Sequence, residues 1–179
     1  MDFYLGENAN ASMAQAESAV KLIQKQKAIV ICGFAAIGKS TFQAAHEKEY
    51  KGIAVEDLDS GGFTKGPEWP SNYLKAIKLR LSEKCILMIS THQTIYSRLI
   101  ESGVILVMVY PKKELKAEWL ERIRQREGRL GAISSICGIV DERWDDWIAG
   151  CHQQTGCLKF EMSEGGYIED CIETVLDLF

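Results

Sequence analysis

Unbroken apolar runs alternate along this chain with stretches whose apolar residues recur every three or four positions. Lys27-Ala28-Ile29-Val30-Ile31-Cys32, Cys85 to Ser90 and Val104 to Tyr110 are continuous apolar, β-branched runs, the signature of strands buried on both faces. Gly52 to Ser60 starts apolar and ends in acid, and Cys157 to Glu161 is a fifth strand candidate. Between them the helical period predicts helices over Gly38 to His46, from Ser71 through Leu81, over Gln93 to Glu101, over Lys112 to Arg129, and over Tyr167 to Phe179. Ser71 and Asp141 read as N-caps, the latter of a short helix holding Trp144, Trp147 and Ile148. Gly62 to Pro70 reads as a loop, Pro111 as a strand stop, and Ala132 to Ile139 carries no definite pattern. Before the first strand, Ala14, Ala16, Val20, Leu22 and Ile23 have helical spacing behind Ser12, so residues 1–26 are expected as a helical extension of a domain spanning 27–179. Strands alternating with helices predict an α/β fold with a five-stranded parallel sheet covered on both faces.

Composition changes this picture little. A chain of 179 residues with 46% hydrophobic and 26% charged residues has the balance of one soluble domain. A formal net charge of -4 argues against a dedicated nucleic-acid surface. No apolar run reaches the ~20 residues of a membrane helix, and the first residues lack a basic-then-apolar signal pattern, so the expectation is a cytoplasmic protein without a membrane partner. Six cysteines, none in a C-x-x-C pair, suggest reduced structural thiols.

One stretch carries chemistry directly. Gly33-Phe34-Ala35-Ala36-Ile37-Gly38-Lys39-Ser40-Thr41 fits G-x-x-x-x-G-K-S/T between a strand and a helix. Its backbone N–H groups, from Gly33, Ala35, Ala36, Ile37 and Gly38 through Thr41, would cradle phosphates. Lys39 would reach the β- and γ-phosphates and the Ser40 hydroxyl would sit on Mg²⁺. Ligands of an open parallel sheet bind beyond the carboxyl ends of its strands. Of those ends only the Gly52 to Ser60 strand supplies carboxylates, Asp57 and Asp59, two residues apart and so on one face of an extended strand. One would hold Mg²⁺ directly or through water, with Asp57 as the metal-linked candidate, and the other would position a substrate group.

The loop, followed by Asp57-x-Asp59 at the end of a strand, resembles the small P-loop kinases of the nucleoside and nucleoside monophosphate kinase-like group. It is similar also to small nucleotide-kinase-like proteins of bacteriophages and bacteria, with shikimate and gluconate kinases as relatives. The resemblance implies a three-layer P-loop NTPase fold, sheet order 2-3-1-4-5, a substrate-binding segment after the second strand, and an arginine-bearing lid, here around 112–131. It also implies ATP and Mg²⁺ as cofactors and a small-molecule acceptor, a nucleoside or nucleoside monophosphate. Ala36 stands where many members carry glycine, and the lid lacks paired arginines of the adenylate-kinase kind.

Arg122 and Arg126 share a helix face and could close over the phosphates, with Arg129 between two glycines as a hinge; the other reading is a solvated helix of Glu–Arg pairs. Ser60 follows the acids. Lys65 could meet an acceptor phosphate, Trp69 either packs on the core or stacks on a base or sugar, and His92 either bonds the substrate or caps a helix. Two other functions stay open: a nucleotide-binding regulatory switch with little kinase activity, and a kinase of polynucleotide ends or of protein.

Overall fold

The computed structural model describes residues 26–130 and 136–178, apart from the side chains of Arg129 and Leu130. The helical extension expected in residues 1–26 therefore lies outside the described residues except for Gln26, as do the 131–135 part of the patternless segment and the side chain of Arg129.

Strand β1 (Ile29–Gly33) leads through the glycine loop into helix α1 (Lys39–Ala45). Strands β2 (Glu49–Tyr50) and β3 (Ile53–Leu58) follow, then α2 (Ser71–Arg80), β4 (Cys85–Ser90), α3 (Gln93–Glu101) and β5 (Leu106–Pro111). The chain continues with α4 (Lys116–Leu130), α5 (Ile136–Gln153), β6 (Leu158–Met162) and α6 (Glu169–Leu176). Among the described residues the sheet has six strands in the order β2-β3-β4-β1-β5-β6, all parallel except the β2–β3 pair. This corrects the expected five-stranded parallel sheet to a mixed one. Counting only the parallel strands in chain order gives 2-3-1-4-5.

The extra strand comes from a hairpin. Lys51 and Gly52, between the paired Tyr50 and Ile53, both have positive φ (49° and 75°), the geometry of a two-residue turn whose twist matches the strands it joins. Strands β1 and β5 are buried throughout, and β4 is buried up to Ser90. Such strands must be covered on both faces, which the helices do.

Two expected caps are corrected. Ser71 is the first helical residue of α2, with Pro70 in the cap position. Asp141 lies inside α5, because the buried row Val140, Trp144, Ile148 and Cys151 continues the helical period past it, and its carboxylate pairs with Lys116 of α4 at 2.8 Å. Among the described residues no helix is long and apolar enough to cross a membrane.

Candidate active site

The sheet order sets β1 between β4 and β5, so the loop after β1 lies beside the carboxyl ends of both. The Phe34 amide donates to Val109 O at 2.9 Å and ties the loop to β5, while Ile37 O accepts from the Ile168 amide at 2.9 Å. The amides of Ala35, Ala36, Gly38, Lys39, Ser40 and Thr41 have no acceptor among the described residues. Such a run of unpaired N–H groups is an anion-binding concavity. Ala36 adopts φ 60° and Gly38 φ 99°, which bends the loop around that space. A Cβ on Gly33 would meet the Lys39 stem at 3.0 Å, and one on Gly38 would meet the Tyr167 ring at 3.2 Å.

Lys39 is buried, and its Nζ donates to Gly33 O (2.9 Å) and Phe34 O (3.2 Å). Burial lowers its pKa, while the charges of Asp57 and Asp59 act against that shift. The ammonium has three protons, so one more acceptor fits. The Ser40 hydroxyl donates to Asp57 Oδ2 at 2.5 Å, and Asp57 Oδ1 is buried without a partner among the described residues. Burial raises the Asp57 pKa, opposed by the Ser40 bond and by Lys39. An orphaned carboxylate oxygen beside a hydroxyl and an ammonium fits a Mg²⁺–phosphate group. Among the described residues no three His, Cys, Asp or Glu side chains cluster for a metal. Mg²⁺ ordinarily takes only one or two protein groups and completes its shell with phosphate and water.

Asp59 lies just past the end of β3, where its Oδ1 accepts from the Gly61 amide (2.8 Å) and from the Ser90 hydroxyl (3.4 Å). It lines a 120 Å³ cavity with the loop, Arg122, Gln125, Arg126 and Tyr167. The two arginines of the expected lid are thus beside the loop, but in different states. Arg122 donates to Gly166 O (2.7 Å) and to Glu118, with its guanidinium 4.3 Å from the Trp119 ring centre and 4.2 Å from that of Tyr167. Arg126 Nε has no partner among the described residues, and its charge is felt at both Lys39 and Asp57. Helix α4 itself is docked: Trp119 and Ile123 are fully buried, and the Trp119 indole donates to Ala35 O at 2.8 Å.

Ser60, Lys65, Trp69 and His92 form a separate packed group. Lys65 Nζ donates to Ser60 O at 2.8 Å and lies 3.3 Å from the Trp69 ring centre. Trp69 stacks on Tyr73 at 5.6 Å and meets His92 edge-on at 5.2 Å. His92 Nε2 is 2.7 Å from Ser60 Oγ, and burial, with Lys65 and Lys39 nearby, lowers the His92 pKa to about 4, so the ring is uncharged. Lys65 and Trp69 are therefore engaged with their own cluster.

Sequence reading did not single out Tyr73, whose hydroxyl donates to Leu58 O (2.6 Å) and accepts from the Ser90 amide (3.0 Å), bracing the ends of β3 and β4. Nor did it find Tyr167 or Glu118 as partners of Arg122. The four-residue Glu118–Arg122 spacing was the available signal.

No protein-family model matches the chain, and no curated protein matches it. Among solved structures, it is similar to the crystal structure of a gluconokinase from Sinorhizobium meliloti 1021, with a TM-score of 0.48 and 17% sequence identity over 86% of this chain and 94% of that one.

Proposed function

We propose that the chain is an ATP- and Mg²⁺-dependent phosphotransferase that moves the γ-phosphoryl group of ATP to a hydroxyl of a nucleoside or nucleoside monophosphate. The observation that carries the reading is the Ser40–Asp57 pair, with its orphaned Oδ1, at the mouth of a loop of unpaired amides that also holds Lys39. In this reading the amides and Lys39 bind the donor phosphates, and Ser40 and Asp57 hold Mg²⁺, which supplies charge neutralisation on the phosphate oxygens. Asp59 orients the acceptor hydroxyl. Arg126, beside the same cavity, offers its guanidinium to the transferred group. Phosphoryl transfer asks for position and charge more than covalent help from the protein, and these residues supply both.

The test is product formation from ATP and Mg²⁺ with a panel of nucleosides, nucleotides and sugar acids. A phosphorylated nucleoside or nucleotide is expected, its formation reduced by several orders of magnitude in Lys39→Ala while far-UV circular dichroism is unchanged. Tight ATP binding without turnover of any acceptor would overturn the reading and favour a nucleotide-binding switch.

A further inference from the structure

Phe34, the Thr91–His92 segment after β4, and helices α3 and α5 line a second cavity of 270 Å³. It touches the phosphate loop through Phe34, whose carbonyl accepts from Lys39 and whose ring packs edge-on against Trp144 and Trp147 of α5 at 5.7 and 6.1 Å. Through His92 it also adjoins Ser60, the residue after Asp59. Its position is therefore next to both halves of the candidate active site.

The lining describes an occupant. Phe34, Tyr96 and Trp147 give aromatic walls suited to a flat ring. Gln93, Thr91 and Thr94 add hydrogen-bonding groups of both polarities around them. The charged groups are Arg143 and Asp146, which cancel, and the His92 ring is neutral. Tyr96 is only 3% exposed, yet its hydroxyl has no hydrogen-bond partner among the described residues. That hydroxyl lies beside Gly150, where an added Cβ would come within 3.4 Å of it, and both residues line the cavity. The hydroxyl oxygen keeps solvent access at the cavity wall, where it can donate to or accept from an occupant.

We infer that this cavity is the acceptor subsite, and that it takes an uncharged nucleoside in preference to a nucleoside monophosphate or a sugar acid, with the Tyr96 hydroxyl bonded to the acceptor. The inference deepens the phosphotransferase reading and rests on it for the word acceptor. It leaves Lys65 and Trp69, bonded and stacked within their own cluster, out of acceptor binding.

The experiment is isothermal titration of the full chain with adenosine, guanosine, cytidine, uridine and thymidine, their monophosphates, and gluconate. Binding of an ATP analogue with Mg²⁺ is measured in parallel. At least one nucleoside is expected to bind more tightly than its monophosphate and than gluconate. Tyr96→Phe should weaken it about tenfold, the effect of one lost hydrogen bond. Gly150→Val, which pushes a side chain into the cavity, should abolish it, and thermal unfolding of each variant reports folding. Nucleoside affinity equal in wild type and Tyr96→Phe, tighter binding of the charged compounds, or no nucleoside binding at all would overturn the assignment. If a nucleoside binds in a Tyr96-dependent way but the ATP analogue does not bind, the cavity stands as a nucleoside site and the phosphotransferase reading falls. ATP binding with no nucleoside binding leaves the opposite result.

Discussion

Ala36 carries a left-handed backbone, φ 60°, at the tip of the phosphate loop. A side chain with a Cβ is strained there by roughly 1–2 kcal/mol, and glycine gives back part of that through its greater freedom in the unfolded chain. Ala36→Gly should therefore raise stability by about 0.5–1 kcal/mol, read as a higher urea midpoint with an unchanged slope. Asp57 presents the opposite case, a residue whose charge opposes folding. Its pKa is raised by burial, so its folded value lies above the unfolded one and the ionised form at neutral pH weakens the fold. Asp57→Asn keeps an oxygen for the Ser40 hydroxyl and removes that charge, so the melting temperature should rise by a few degrees while the proposed Mg²⁺-dependent transfer is lost. A melting temperature that falls in Asp57→Asn would mean that the Ser40 and Lys39 interactions outweigh desolvation.

Helix α4 joins the loop to the β6–α6 connection, and its two arginines are expected to separate structure from chemistry. Arg122 is enclosed by Trp119 and Tyr167 and bonded to Glu118 and Gly166, with its side chain 11% exposed. Arg122→Ala leaves Glu118, whose Oε2 is already without a partner among the described residues, beside an uncompensated gap, so a loss of about 1–3 kcal/mol is expected in chemical denaturation. Arg126→Ala should change stability by less than about 0.5 kcal/mol and lower kcat/KM at least a hundredfold, with kcat and kcat/KM falling together as for a group felt in the transition state. Elements of this length were legible from pattern: α3 and β4 fall on the residues that periodicity assigns. The failures have local causes. The two-residue β2 is too short to carry a period, and its turn is Lys51-Gly52 in place of an asparagine–glycine signal. The early start of α5 was hidden because Asp141, a good cap by composition, is used in a pair with Lys116 across two helices.

At the scale of the whole molecule the candidate site was half legible. Loop, acids and arginine helix converge because strand order brings their chain positions together, and each announced itself by residue type. The second cavity did not, since no motif sets Tyr96, Trp147 and Gly150 apart in the sequence and they meet only where α3 and α5 line one cavity. His92 lines the second cavity and bonds Ser60, the residue after Asp59 of the first, and its protonation links site to stability. Its folded pKa of about 4 lies below the unfolded value of about 6.5, because burial and the charges of Lys65 and Lys39 outweigh the pull of Asp59. The unfolded chain therefore binds the proton first, and stability contributed by the neutral ring is present above pH 6.5 and is lost as pH falls toward 4. Allowing for partial solvent access, the loss between pH 7 and pH 5 is about 1 kcal/mol. His92→Gln, which can still bond Ser60, should show that much less pH dependence than wild type in urea unfolding at the two pH values. Equal pH dependence in the two proteins would mean that the imidazole takes its proton with the fold intact, and the neutral ring assumed at the wall of the second cavity would have to be replaced by a cation.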